Sequence, residues 1–220
     1  MEKDELTVKY VNCMGPALGA IFAELYKQIS WVNLKYNEFV VLFGTSAETV
    51  GVLNESAPAF FSYLQHVMFD SVMLDIARLL DPARTGKKKN LSLDALHQVV
   101  PPSIEAKIGE LILTAKTRGA FCRDWRHRRL AHNDFDLLLA PKDAKPLEPA
   151  TREKIRLTLE AVSDVMNAVL RNYADSVIGF DSPVPGAGSA QYLVGMLKKA
   201  VDARDKQSAR KLRRLSDQPT

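Results

Sequence analysis

The arginine- and histidine-rich stretch that organises this chain reads FCRDWRHRRLAHND and covers residues 121–134. A long segment with apolar residues at helical spacing leads into it, and a connection interrupted by Pro141, Pro146 and Pro149 follows it. The stretch is therefore expected where a long helix ends. Arginine binds phosphate through forked hydrogen bonds and histidine exchanges protons near neutral pH, so this combination indicates phosphodiester chemistry.

Helical periodicity continues on both sides of this stretch. Apolar residues that recur every three to four positions predict an arm over 4–14, long helices over 16–43, 56–81, 101–125 and 150–176, and a last helix over 189–203. A capping box from Thr45 to Glu48 predicts a short helix to about Leu53, and another short helix is expected near 93–99. No stretch alternates with a period of two. The predicted fold class is therefore all-α, an antiparallel helical bundle of four to five main helices with short accessory helices.

Breaks in composition predict how the chain is divided. Residues 1–15 are interpreted as an N-terminal arm, 16–181 as the helical bundle, 182–188 as a linker rich in proline and glycine, and 189–220 as a C-terminal helix with a basic tail. The tail beyond Arg204 is expected to be poorly ordered, because its like charges repel and it has little apolar surface to bury.

The positive charge is confined to that tail. The chain has a formal net charge of +4, and residues 204–220 alone hold six basic and two acidic side chains. The remaining residues hold 24 of each sign, so any affinity of the body for phosphate must be local. No apolar run is long enough to cross a membrane, and the acidic N-terminus does not resemble a signal peptide, so a cytoplasmic location is expected.

Several shorter motifs carry a resemblance to a known family. The run Arg126–His132, the segment Asp75–Asp81, the Asn90–Leu93 segment and the ending Leu130–Asp134 together resemble the HEPN domain family, in its abortive-infection (AbiU-like) subgroup. The resemblance covers about residues 15–176. It implies a HEPN-like bundle with the Arg/His motif between two long helices.

The resemblance also implies a function in a defence (abortive infection) or toxin–antitoxin system. The expected activity is metal-independent cleavage of RNA at a cleft formed by two copies of the domain. Arg126 and His132 are the expected catalytic residues, with supporting or RNA-binding roles for His127, Arg128, Arg129, Asn133 and Arg123. RNA, a second copy of the chain and a cognate antitoxin are the expected partners. No metal or cofactor is expected, because a glycine-rich phosphate loop, zinc-ligand spacing and a carboxylate dyad are all lacking.

The spacing of the two catalytic candidates raises a geometric question. On one regular helix Arg126 and His132 differ by ~240° of rotation and would not share a face. Either the helix loosens before His132, or a twofold-related copy supplies the second group. Arg128 and Arg129 would meet His132 on a regular helix and are alternatives to Arg126.

Structural interpretations stand beside the catalytic one. His132 is also interpreted as a helix-capping residue, and Arg123 and Arg128 as members of ion pairs with Asp124, Asp134 and Asp136. Arg78 and Asp81, one turn apart, are expected to pair with each other. On this interpretation the chain is a catalytically inactive interaction module that binds a protein or nucleic acid through its basic tail.

Residues outside the motif are expected to serve the fold. Both tryptophans, Trp31 and Trp125, and both cysteines, Cys13 and Cys122, are interpreted as core residues. The isolated histidines are interpreted as surface or packing residues.

Overall fold

A computed structural model describes residues 5–132, 134–139, 142, 144–181 and 188–216, the last five of these by their backbone alone. Helices dominate these residues, so the prediction of an all-α helical bundle is confirmed. The elements in chain order are α1 Glu5–Met14, α2 Pro16–Phe43, α3 Ala47–Ser56, α4 Pro58–Leu79, β1 Arg84–Thr85, β2 Lys88–Lys89, α5 Leu93–His97, α6 Pro102–Arg118, α7 Ala120–Trp125, a π-helical turn Arg126–Leu130, α8 Phe135–Leu139, α9 Arg152–Arg171 and α10 Ala190–Ser216.

Local chemistry accounts for the helix starts in the first part of the chain. Gly15 takes a positive φ of 84° between α1 and α2, and Pro16 occupies the first position of α2, as predicted. The cap of α3 lies one residue later than predicted. Ser46, not Thr45, caps this helix by accepting a hydrogen bond from the amide of Thr49. Glu48 is therefore free of the capping role and pairs with Lys198 instead.

The predicted long helix over 101–125 is interrupted at Gly119. α6 ends at Arg118 and α7 begins at Ala120, while the amide of Gly119 donates to the carbonyl of Ala115 at 2.9 Å. A side chain at Gly119 would overlap a methyl group of Leu80 and approach that of Thr158 to 2.9 Å. The backbone comes this close to its neighbours only because the residue is glycine.

The chain folds into two compact units, Met1–Asn33 with Asp70–Asp181 and Leu34–Phe69 with Ser182–Thr220. In the first unit α6 packs against α9. The predicted apolar face of α9 is confirmed by the burial of Ile155, Leu159, Val162, Met166 and Val169. This helix ends at Arg171 and not near residue 176. The side-chain amide of Asn167 donates to the carbonyl of Ile178, and its side-chain oxygen accepts from the amide of Ile178.

In the second unit α10 packs against α3. Leu42, Leu53, Phe61 and Ala190 form its buried cluster. The expectation that the tail beyond Arg204 lacks order is wrong for residues up to 216, because α10 continues as a helix to Ser216. Arg204 is held at this point by the Glu55 carboxylate at 2.8 Å.

Two predicted core residues lie at the surface. Trp31 is 59% exposed, and Cys13 is exposed, with its thiol 4.0 Å from the carbonyl of Tyr173. Cys122 is buried as predicted, and this burial raises the pKa of its thiol to about 12. A segment that carries Lys88 and Lys89 forms the hairpin of β1 and β2. None of the described helices is both long and apolar enough to cross a membrane.

The crossing of α1 and α2 generates a prediction about stability. A methyl group at Gly19 would overlap the carbonyl of Tyr10 and approach the Cα of Val11 to 2.6 Å, and neither backbone atom can turn away. Gly19→Ala is therefore expected to lower the free energy of unfolding by about 1–3 kcal/mol, measured by chemical denaturation. Gly51→Ala is the control, because Gly51 lies within α3 with no atom within 4 Å of the new methyl group. There alanine is expected to stabilise by about 0.5–1 kcal/mol. Equal effects at both positions would contradict the close crossing.

Candidate active site

The Arg/His stretch leaves regular helical geometry where its basic residues begin. Arg126–Leu130 is a π-helical turn, and the amide of Ala131 bonds the carbonyl of Arg126, five residues earlier, at 2.8 Å. The amide of Asp134 then bonds the carbonyl of Arg128 at 3.1 Å. The helix therefore loosens before His132, as one of the two predicted alternatives requires. Such π-helical turns are frequent at functional sites.

Arg126 is held by a carboxylate from another part of the chain. Its Nη1 donates to both carboxylate oxygens of Asp81, at 2.8 and 2.7 Å. Both side chains are largely shielded from solvent, with 23% of Arg126 and 17% of Asp81 exposed. Asp81 comes just after the end of α4, and Asp81-Pro82 stops that helix. The end of α4 therefore fixes the orientation of the guanidinium.

His127 contacts the other end of the same guanidinium. Its Nε2 lies 3.1 Å from Nη2 of Arg126. Arginine has no acceptor, so this hydrogen bond requires a neutral imidazole with its proton on Nδ1. His127 thus contacts the guanidinium that Asp81 holds from its other side. Nε of Arg126 makes no hydrogen bond to any described residue, which leaves a donor for a phosphate oxygen.

The expected ion pair between Arg78 and Asp81 is wrong. Arg78 pairs with Asp75 at 3.1 Å, one turn earlier on α4. Asp81 lies beyond the last helical residue, Leu79, so its side chain does not follow the helical spacing on which the expectation depended. Asp81 is the site residue that spacing along the chain could not assign, because its partner is 45 residues away.

Arg128 is committed to structural contacts, which confirms the ion-pair interpretation for this residue. It pairs with Asp134 at 3.2 Å and Asp124 at 3.7 Å, and its Nη2 donates to the carbonyl of Lys145 at 2.6 Å. The backbone amide of Leu137 and the Arg128 side chain hold the pKa of the Asp134 carboxyl below its usual range. Arg128 therefore joins the π-helical turn to the start of α8.

The remaining arginines present their charge to solvent. The Arg129 guanidinium lies 5.6 Å from the ring centre of Trp125, a cation–π contact. Trp125 is half-buried, and its indole N–H donates to the carbonyl of Glu148 at 2.8 Å. Arg123 is exposed on the rim of an open surface depression of about 480 Å³. The residues that line this depression are Lys116, Ala120, Arg123, Asp124, His127 and Arg128.

His132 is exposed at the end of the stretch. Among the described residues, none forms a hydrogen bond or an ion pair with its ring, and none of the described hydrogen bonds joins it to Arg126, Arg128 or Arg129. The hydrogen bond that the helix-capping interpretation of His132 requires is therefore not among the described contacts. Asn133 lies outside the described residues.

The two other histidines, His66 and His97, lie outside the Arg/His stretch. His66 bonds the carbonyl of Ser62 at 2.7 Å, and His97 bonds that of Glu105 at 3.0 Å, so both serve their own surroundings. In the part of the chain that the structure describes, no three side chains of His, Cys, Asp or Glu converge on a metal-binding position.

The shielding of Asp81 and Arg126 generates a prediction. A double-mutant cycle with Asp81→Ala and Arg126→Ala is expected to give a coupling energy of about 1–3 kcal/mol in chemical denaturation, because either single change leaves a half-buried charge unpaired. The matched control is the pair of Glu153 and Arg156 on α9, with 62% and 47% of the side chains exposed. Solvent screens that pair, and its coupling energy should be clearly smaller than that of Asp81 and Arg126. If the coupling energy of Asp81 and Arg126 were as small as that of Glu153 and Arg156, the Asp81–Arg126 pair would be a solvated contact.

Comparison with known proteins identifies the family. A family model described as AbiU2, of the HEPN class, matches residues 15–192, which include the whole site. The comparisons with curated proteins and with solved structures returned no match. The chain belongs to the AbiU2 family of abortive-infection-type HEPN proteins.

Proposed function

We propose that this protein is a metal-independent endoribonuclease of a defence or toxin–antitoxin system, acting in the cytoplasm. The observation that carries the proposal is the orientation of Arg126, which Asp81 holds through both carboxylate oxygens on a π-helical turn that ends two residues before His132. A cation fixed in this way is already oriented for a developing negative charge. The membership in an abortive-infection family agrees with such an activity.

Arg126 would stabilise the charge that builds up on the phosphoryl oxygens. Nη1 is occupied by Asp81 and one N–H of Nη2 by His127, so Nε and the second N–H of Nη2 are the donors that would bind phosphate oxygens. Donors that are oriented before the reaction need no reorganisation in the transition state, which is why such groups contribute strongly to catalysis.

His132 would move the proton. The 2′-oxygen of the ribose forms a bond to phosphorus while the bond from phosphorus to the 5′-oxygen breaks, which leaves a 2′,3′-cyclic phosphate and a 5′-hydroxyl. His132 would either take the proton from the 2′-hydroxyl or give one to the leaving 5′-oxygen, the two roles that histidine serves in general acid–base catalysis. The opposite transfer would come from the second copy of the chain or from water.

A homodimer would bring the second copy to the site. α8, which follows His132 directly, exposes three large apolar side chains, with Phe135 at 72%, Leu138 at 59% and Leu139 at 70%. Exposed apolar residues grouped in this way mark surfaces that associate. A twofold contact through α8 would place two copies of the motif next to each other, as the twofold alternative requires.

A second function, an inactive interaction module, is favoured by the ion pairs themselves. Asp81 neutralises Arg126, and Asp124 and Asp134 surround Arg128. An arginine that already forms ion pairs within the protein gains less free energy from binding a phosphate. RNA cleavage by the purified protein decides between the two functions.

The cleavage prediction concerns wild type, Arg126→Ala and His132→Ala. Wild type is expected to cleave single-stranded RNA in the presence of EDTA and to leave a 2′,3′-cyclic phosphate. Each variant is expected to lose on the order of 10²-fold or more in rate, because each group acts in the transition state. Rates are measured on labelled RNA, and melting temperatures are measured on the same samples, so that loss of fold is separated from loss of chemistry.

The control for this experiment is His66→Ala. His66 is also exposed, but it bonds only its own helix, so the rate should remain that of wild type. Normal cleavage by a folded His132→Ala protein would exclude His132 from the chemistry. If none of these proteins cleaves RNA, the interaction module becomes the better proposal.

The dimer prediction is tested by light scattering. Wild type is expected to have twice the 24.5 kDa mass of the chain at micromolar concentration, and Leu139→Glu is expected to dissociate it, because a charge would be buried in the contact. Leu113→Glu on α6 is the matched control, since Leu113 is 66% exposed and lies outside α8. A monomeric wild type, or a Leu139→Glu protein that remains a dimer, would rule out α8 as the contact.

A further inference from the structure

The last part of α10 carries cations that the fold does not use. Lys198 is ion-paired with Glu48 of α3, and Arg204 is paired with Glu55 of the same helix. Beyond them Lys206, Arg210 and Lys211 are exposed, and none of the described residues forms an ion pair with them. The positive excess of the chain is therefore divided between cations that hold α10 in place and cations that only face solvent.

The geometry of α3 and α10 separates these two groups. Glu48 and Glu55 pair in order with Lys198 and Arg204, so the two helices run in the same direction. α3 ends at Ser56, whereas α10 continues to Ser216. At 1.5 Å per residue, about 18 Å of helix extends beyond the last ion pair. We call residues 206–214 the basic arm.

The charges of the basic arm oppose its own helix. Lys206, Arg210 and Arg214 follow one another at four-residue spacing, and Arg213 follows Arg210 after three residues. Like charges at these spacings destabilise a helix. Carboxylates stand before the arm, at Asp202 and Asp205, but none occurs within it. A bound polyanion would remove this repulsion.

The composition of the arm favours phosphate over other partners. Protein interfaces depend on a few buried aromatic or large apolar anchors, and a helix lying on a membrane needs an apolar face. The apolar residues of the basic arm are Ala209 and Leu212 alone, and its other uncharged residues are Gln207 and Ser208. A phosphate backbone needs only cations and small polar groups.

We propose that the basic arm binds the phosphate backbone of single-stranded RNA and raises the affinity of the enzyme for its substrate. That the nucleic acid is RNA rests on the proposed function, whereas binding of a phosphate backbone rests on the arm alone. Since backbone contacts carry no sequence information, the arm adds affinity without adding sequence preference.

The test measures RNA binding by fluorescence anisotropy over a range of salt concentrations, with His132→Ala as the background so that the RNA stays intact. Exchanging Lys206, Arg210 and Lys211 for glutamine together should weaken binding by on the order of tenfold or more at low salt. The slope of log K against log salt should fall in magnitude by about 2, at ~0.7 for each lost contact with a single strand. In the active background KM should rise while kcat stays unchanged, because the arm binds substrate and transition state alike.

The matched control removes the same charge elsewhere. Exchanging Lys87, Lys88 and Lys89 for glutamine takes three exposed lysines from the hairpin segment and should leave the slope unchanged. An equal loss in both triple variants would show that only net charge matters and would overturn the proposal. Absence of RNA binding by the background protein would overturn it as well.

Two further probes separate the other partners. Polyglutamate stands for an acidic protein, and vesicles of equal parts phosphatidylcholine and phosphatidylserine stand for a membrane. Binding of either as tightly as RNA would overturn the proposal. If RNA binding depends on the arm but no RNA is cleaved, the arm proposal stands and the ribonuclease proposal fails. If RNA is cleaved and neither binding nor KM depends on the arm, the ribonuclease proposal stands and the arm proposal fails.

Discussion

The close approach at Gly119 is the constraint on which the candidate site depends. Leu80 and Thr158 fill the space that a side chain at Gly119 would need, at the point where α6 gives way to α7 and the π-helical turn. Leu80 is also the neighbour of Asp81 in the chain. The close contact at the end of α6 therefore involves the residue next to the carboxylate that binds Arg126.

The arginines of the stretch divide into distinct roles because their surroundings differ. Arg128 is enclosed by two carboxylates and a carbonyl and supports the backbone between the π-helical turn and α8. Arg126 contacts one carboxylate and one imidazole, and its Nε has no hydrogen-bond partner among the described residues. Arg129 lies over an indole ring, and Arg123 faces an open depression. The sequence motif alone does not distinguish these four arginines, whereas their contacts in the structure do.

The sequence was sufficient where the cause of a structure lies within a few residues. Apolar spacing predicted α2, α4 and α9, including the start of α2 at Pro16. It failed where the cause lies far along the chain. The glycine at the break is required by the approach of Leu80 and Thr158, and the partner of Arg126 follows a helix that ends 47 residues earlier. The helical course of the basic tail was missed for the same reason, since Arg204 is anchored by Glu55, 149 residues away.

The pairing of α3 with α10 has a consequence for how the chain is made. Glu48 pairs with Lys198, 150 residues later in the chain, and Glu38 accepts a hydrogen bond from the amide of Ala190. Neither contact can form before α10 has been synthesised. During synthesis Leu42, Leu53 and Phe61 therefore leave the ribosome long before the helix that covers them. The second unit can therefore close only after α10 has been made. A chain without α10 would expose this apolar cluster, and exposed apolar surface of this kind is what chaperones and proteases act on in unfolded proteins.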